Sequence, residues 1–532
     1  MGLFKDLLTS FLKEAYKNFS ILSPYFYIAL TLLVVVYYTL AKKLKMQWVL
    51  LLAASLFFYL VNGRKAALWM FLPVAVTYFA AHTVTQLDGK IRPQLSALVV
   101  LFNVLFLVYF KEANFFIKNA NRILGFLHLP LLALANRKAP FGVSYITLML
   151  ISYYLDVSWQ QVKPQKNPLK FVLYALFFPV TTSGPIARYT EVESQLLAVH
   201  RFDYERFCFG VQRIVWGFFK KLVIAERIGA IVGTVYGNWS NYAGFTLALG
   251  LLLYALQVYA DFSGCIDMVL GAAETLGIAL PENFRQPLFS TSLSEIWRRW
   301  HMTLGFWVKD YVLYPVLKSG GMQRMSVFLK DKLGKKNRYA KMIPTWCGMA
   351  VTWFTVGFWH GGDWKYIFGG GLFFFAIITG GQLLEPLFAR LLRLLRVNTE
   401  AASWRLFQRL RTYFLFAAVV SFQRAASLKT GLKMWRRVFK DFNPWIFFDG
   451  TLFRLGLDAK DFFVMVIGLL IVLLVSNLEQ GRDGRTLHVR EALARQNLVF
   501  RWLIYLGLVL SVVVFGMYGP GYNPAAFIYF QF

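Results

Sequence analysis

The chain has 532 residues, 58% of them hydrophobic, and a formal net charge of +30. Soluble domains are closer to half apolar, with charge mixed in throughout, whereas here the apolar residues form long uncharged blocks and the basic residues sit in short loops between them. This excludes an ordinary soluble domain, argues against a nucleic-acid partner, and matches a membrane protein whose Lys and Arg mark cytoplasmic loops.

In chain order, residues 3–19 are predicted to form an amphipathic interfacial helix, not a cleavable signal. A bilayer needs roughly 20 apolar residues per helical span. Candidate spans lie near 25–41, 46–62, 67–84, 94–110, 141–157, 169–182, 242–260, 343–359, 366–384, 461–476 and 502–518, with further ones near 208–230, 262–280 and 411–423. The expected class is an all-α polytopic membrane protein, one domain over 1–532, with about 11–14 transmembrane or re-entrant helices. Cys208, Cys265 and Cys347 are far apart, in apolar surroundings and without metal spacing, so they read as core residues and no metal is expected.

Residues 318–341 are dense in Lys and Arg, with Asp331 as their one acid, and residues 390–411 carry six arginines. Both are expected on the cytoplasmic side. The two spans between them are joined by "GFWHGGDW", which places His360 at the outward end of a hairpin. The same rule puts 478–500 inside and the tail 519–532 outside. The basic stretch 424–442 must then lie outside or along an interface.

Ionisable groups at membrane depth are costly and mark functional candidates. They concentrate in 254–314, which holds Asp261, Asp267, Glu274, Glu282, Glu295, Arg298, Arg299, His301 and Asp310 interleaved with Trp297, Trp300 and Trp307. From Ser292, "SLSEIWRRWHMTLGFWVKDYV" is predicted as one amphipathic helix with Trp297, Trp300 and Leu304 on one face. In "FPVTTSGPIARY", Ser183, Gly184 and Pro185 interrupt an apolar run and suggest a re-entrant loop. Structural alternatives stand beside each reading. The tryptophans can be belt anchors, Asp261 and Asp267 can simply bond neighbouring helices, and the Ser-Gly-Pro break can be an ordinary turn. His82, His128, His200 and His488 read as packing or interfacial residues.

Three stretches, "NFRQPLFSTSLSEIWRRWHMTLGFWVKDYVLYPV", "VGFWHGGDWKYIFGGG" and "FFPVTTSGPIARYTEVESQL", resemble the membrane-bound O-acyltransferase family. "YADFSGCIDMVLGAAETLGIALPENF" resembles its bacterial branch, which covers alginate and peptidoglycan O-acetylation and teichoic-acid D-alanylation. The resemblance implies a helical fold around a central funnel, with His360 as the essential base and His301 as a partner that positions or polarises. It further implies acetyl-CoA as the acyl donor; Arg298, Arg299 and Lys309 are expected to attract its phosphates, with Trp300 and Asp310 beside them in the donor site. Ser183, Gly184, Pro185, Arg188, Asp261, Ser263, Asn283, Trp359 and Gly361 would line the cavity.

The expected activity is transfer of acetyl from cytoplasmic acetyl-CoA across the bacterial cytoplasmic membrane to a polysaccharide. The expected partners are membrane lipid and an extracytoplasmic serine-hydrolase-like transferase, with no nucleic acid. The C-terminal part resembles the acetyltransferase subgroup. The "TSGPI" break and the basic 318–341 loop are closer to the D-alanylation type, which keeps D-alanyl transfer as an alternative. A transporter or flippase is the alternative from a different class. Tyr529, in a tail resembling the C-terminal motif of the small D-alanylation partner, is a candidate acyl acceptor for His360 to activate; the alternative is that this aromatic tail is only an interfacial anchor.

Overall fold

A computed structural model describes residues 19–480 and 488–518. The expected N-terminal amphipathic helix, the tail 519–532 and Tyr529 lie outside the described residues, apart from residue 19. The described residues are helical, with one isolated β-bridge between Phe284 and Trp300.

The helices follow in chain order. The first is α1 (Pro24–Val36), continued by a wider π turn to Ala41. Then come α2 (Gln47–Ala67), α3 (Phe71–Val84), α4 (Arg92–Leu107) and α5 (Ala113–Phe126). They are followed by α6 (Val143–Ser158), α7 (Pro168–Leu176), α8 (Tyr189–Leu197), α9 (Tyr204–Phe218) and α10 (Glu226–Gly237). The long α11 (Gly244–Thr275) precedes the short α12 (Leu293–Ile296), α13 (Met302–Val308) and α14 (Tyr314–Lys318). After these come α15 (Gly320–Leu333), α16 (Arg338–His360), α17 (Trp364–Ile367), α18 (Phe373–Leu394), α19 (Ala402–Arg424) and α20 (Leu428–Val438). The last are α21 (Ala459–Gln480), α22 (Val489–Ala494) and α23 (Leu498–Phe515).

Seven helical stretches among the described residues are long and apolar enough to cross a membrane. One of them, Gln47–Val84, is kinked at Arg64, whose φ of +49° lies in the left-handed region, so the two predicted spans there are distinct. None of the α23 residues is buried, as expected for a helix facing lipid.

Three predicted elements are corrected. The 169–182 span is helical only over Pro168–Leu176, nine residues, too short to cross. Asn167 caps its start, and the chain leaves the helix at Phe177, two residues before Pro179. The spans near 242–260 and 262–280 are a single helix, α11, of 32 residues. The helix predicted from Ser292 is broken: α12 ends at Ile296, and His301, at φ +47° and ψ +48°, sits in the left-handed region before α13. Trp297, Trp300 and Leu304 therefore do not share a helical face.

The chain divides into two compact units, Met1–Leu222 with Asp261–Glu282 and Arg490–Phe532, and Val223–Ala260 with Asn283–Val489. In the first unit, α6 is almost wholly buried and packs on α3 and α4. The Ser-Gly-Pro break is buried here too, with Ser183 only 1% exposed, and Arg188 follows it at the start of α8. Non-helical backbone is tolerated at membrane depth when protein covers it in this way.

The same unit holds a set of ion pairs between α9, the π turn Phe219–Ala225 that extends it, and α11. Lys221 Nζ lies 2.5 Å from Asp261 Oδ1, and Lys220 Nζ lies 2.5 Å from Asp267 Oδ2. Lys220 also donates to Ser263 Oγ at 2.9 Å. Arg213 joins Asp267 (3.0 Å) to Glu282 (2.6 Å), and Arg490 meets Glu274 (2.7 Å). The acidic groups of α11 are thus matched by cations, the condition under which charge persists away from water.

In the second unit, α16 packs against α15, α17 and the π turn Phe368–Leu372 that leads into α18. Gly357 makes that closeness possible, because a Cβ there would meet Tyr366 O at 2.7 Å and Ile367 Cα at 2.8 Å. Arg227 of α10 pairs with Asp461 of α21 at 2.9 Å, and Tyr413 of α19 donates to Leu252 O at 2.7 Å.

Candidate active site

His360 is the last residue of α16 and is buried, 8% exposed. The helix begins at the Asn337 cap, whose Oδ1 accepts from the Tyr339 N–H at 2.8 Å. It ends where Gly361 turns extended, and Asp363 then caps α17 by accepting from the Lys365 N–H at 2.9 Å. The Gly-Gly-Asp sequence thus stops one helix and starts the next within three residues. Gly361 has a packing reason to lack a side chain: a Cβ would run into the Tyr366 ring, 2.6 Å from its Cε2.

His301 is 1% exposed, and its ring centroid lies 6.2 Å from that of Trp359. Its left-handed backbone turns the chain between α12 and α13. Such a conformation costs a non-glycine residue about 1–2 kcal/mol and persists only when its surroundings impose it. Those surroundings are visible. The Met302 N–H donates to Asn283 O at 3.0 Å, the Arg285 N–H donates to Arg299 O at 2.8 Å, and the Phe284–Trp300 bridge lies between them.

Asn283 is fully buried and its Oδ1 gathers three donors. The Thr303 N–H reaches it at 3.2 Å, the Thr303 hydroxyl at 2.9 Å and His301 Nδ1 at 3.2 Å. The backbone N–H of Thr303 fixes which end of the amide is the oxygen. His301 Nδ1 must therefore carry its proton, leaving Nε2 as the lone-pair nitrogen. Burial, and secondarily the nearby His360, holds the His301 imidazole well below its ordinary pKa. The ring is neutral, in one tautomer, within electrostatic reach of His360. The Asn283 Nδ2 is buried and without a hydrogen-bond partner.

Behind this pair stands an aromatic cluster. The Trp297 ring lies 4.8 Å from Trp353 and 4.9 Å from Phe374, and Trp300 lies 5.0 Å from Phe416 and 5.2 Å from Phe284. Trp300, a candidate for the donor site, packs into this cluster. Arg299 is held by Glu295 at 2.8 Å. Arg298 and Lys309 are exposed and Asp310 is half-buried. A separate cleft of about 490 Å³ lies between α15 and α16 and is lined by Gln323, Ser326, Lys330 and Lys341 among others.

The second unit thus brings together His301, His360, Asn283, Trp359 and Gly361. Ser183, Gly184, Pro185, Arg188, Asp261 and Ser263 belong to the first. Sequence reasoning missed Thr303 and the cations Arg213, Lys220 and Lys221. A signal for the lysines was present, since "FFKKLV" sets two charges inside an apolar run, where partners are obligatory. Among the described residues, no group of acids, histidines and cysteines could hold a metal ion.

The helices define a multi-pass membrane protein, and His301 and His360 are buried within it. The sequence profile of the membrane-bound O-acyltransferase family matches residues 19–330, and the chain belongs to that family. A probable alginate O-acetylase of Pseudomonas syringae is 32% identical over 322 residues, covering 59% of this chain and 59% of that protein. The peptidoglycan O-acetyltransferase of Helicobacter pylori is 28% identical over 351 residues, 60% of this chain and 62% of that one. The teichoic acid D-alanyltransferase of Bacillus subtilis is 29% identical over 235 residues, 43% and 55%. The chain spans about three-fifths of the length of the alginate and peptidoglycan relatives.

Proposed function

We propose that the protein is an O-acyltransferase that takes acetyl from cytoplasmic acetyl-CoA and passes it outward for O-acetylation of an extracytoplasmic polysaccharide. The observation that carries this reading is the buried pair His301 and His360, the former kept neutral by burial and held in one tautomer by Asn283. His360 acts as the base. It takes the proton of an acceptor hydroxyl as that oxygen attacks the thioester carbonyl. The C–O bond forms, the C–S bond breaks, and the thiolate leaves as the thiol with the proton from His360. His301 positions or polarises through its Nε2 lone pair, as an acceptor. The free Asn283 Nδ2 is a donor for charge developing on the carbonyl oxygen.

The two O-acetylating relatives favour acetyl. The D-alanyl relative keeps D-alanyl transfer to teichoic acid as the second reading. The cleft beside Lys330 and Lys341, next to the basic 318–341 stretch, supports a cytoplasmic, phosphate-bearing donor. On the outward side we propose the bacterial cytoplasmic membrane as the location and a serine-hydrolase-like transferase as partner. Tyr529 is the proposed relay, its phenol accepting the acetyl and handing it on.

The test is acetyl transfer by membranes carrying His360→Ala at normal protein level. One positioned base contributes about 10²–10⁴-fold, and a loss of that size is expected. Near-wild-type transfer would overturn the assignment. Tyr529→Phe keeps the ring and removes the nucleophilic oxygen; normal glycan acetylation in that variant would exclude the relay alone.

A further inference from the structure

The helix α20 shows three kinds of surface in order around its axis. Gly431 and Met434 are buried, and Trp435 Nε1 donates to Ser421 Oγ at 2.9 Å, so this side docks onto α19. Next to it, Leu432 and Phe439 are 53% and 79% exposed. Beyond those, Lys429, Lys433, Arg436 and Lys440 follow at i, i+4, i+7 and i+11, all exposed. The loop that follows adds Phe442, Trp445 and Phe448, exposed by 73%, 59% and 89%. Asp441 is the one acid between residues 428 and 448.

An exposed apolar stripe beside a basic stripe is the arrangement of a helix lying in a membrane interface. Its apolar side dips to the acyl boundary and its cations stay among headgroups. We propose that α20 and the aromatic loop after it form a binding site for the phosphate headgroups of anionic phospholipids. A polyanionic glycan would satisfy the four cations but leave Leu432, Phe439, Phe442, Trp445 and Phe448 in water, so the apolar stripe selects lipid.

The site has a defined place relative to the chemistry. Lys365, five residues past His360, donates from Nζ to Ala425 O at 2.8 Å, so α20 starts at the end of α19 that meets the His360 turn. Lipid bound there holds the turn at headgroup height. The inference does not depend on which acyl group is moved.

The experiment titrates purified full-length protein in neutral detergent with phosphatidylglycerol or phosphatidylcholine and counts retained lipids by native mass spectrometry. A basic residue near an anionic surface contributes about 1 kcal/mol, so K429Q/K433Q/R436Q/K440Q should bind phosphatidylglycerol at least about tenfold more weakly. Phosphatidylcholine retention should not change. The charge-conserving set K429R/K433R/R436K/K440R should behave as wild type, which guards against loss of fold. Equal phosphatidylglycerol retention in the Gln variant, or equal loss of both lipids, overturns the proposal. Displacement of phosphatidylglycerol from these residues by a polyuronate oligomer would also overturn it, by making the glycan the occupant.

Discussion

Replacing Asn283 tests the centre at its anchor. In Asn283→Ala three hydrogen bonds vanish, and the buried Thr303 N–H is left without its acceptor. A net hydrogen bond is worth about 1 kcal/mol and a stranded buried donor costs about 1–3 kcal/mol, so a loss of about 2–4 kcal/mol of stability is expected. Asn283→Asp separates packing from electrostatics, because it keeps an acceptor and adds a charge. At ~4 Å and an effective dielectric of about 20, that charge favours the imidazolium by on the order of 4 kcal/mol. This is roughly three pKa units. Wild-type His301 is held below its ordinary pKa, first by burial and then by His360, and stays neutral near pH 7. The aspartate variant therefore loses neutral His301, and acyl transfer with it, on the acid side at a pH higher by one unit or more. The assay is acyl transfer in proteoliposomes from pH 5 to 9, beside thermal unfolding of the same samples. A folded Asn283→Asp enzyme with the wild-type acid limb would refute the tautomer argument.

Other outcomes follow from the same geometry. His301→Asn should fold well, since asparagine tolerates the left-handed backbone at this position, and should lose less activity than His360→Ala; the reverse ranking of rates would remove the positioning role. Wild-type stability should fall on acidification: below about pH 6.5 the unfolded chain takes up a proton that native His301 refuses. Thermal unfolding flat from pH 7 to 5 would contradict that. Lys221→Met should cost about 3–5 kcal/mol by taking its cation away from the buried Asp261 carboxylate; adding Asp261→Leu should restore most of it, and a double variant no better than the single would show that the pair is not the source. Ala426→Cys, in a background without the three native cysteines, should label with an impermeant thiol reagent from outside intact cells, because its neighbour Ala425 accepts from Lys365. Labelling only after permeabilisation would invert the topology.

What the sequence made legible was what local composition controls. Apolar block length gave the helices, and the Gly-Gly-Asp turn placed His360 at a helix end because helix stops and caps are written within a few residues. The misreadings have a common cause. The α11 helix reads as two spans because Asp261 and Asp267 look like interruptions, whereas cations 40 to 54 residues earlier in the chain pair with them inside one continuous helix. The segment from Ser292 has helical spacing throughout, and nothing local says that His301 leaves the helix. That break is imposed by Asn283, 18 residues earlier, whose backbone and side chain hold Met302, Thr303 and His301 in place. A propensity argument sees the cost of a left-handed histidine but not the bonds that offset it. The strained residue is thus also the one whose protonation is fixed, because the amide that bends the chain chooses the tautomer. Kink and chemistry at His301 have a single origin, which explains why a purely periodic reading of "WRRWHMTLGFW" loses both together.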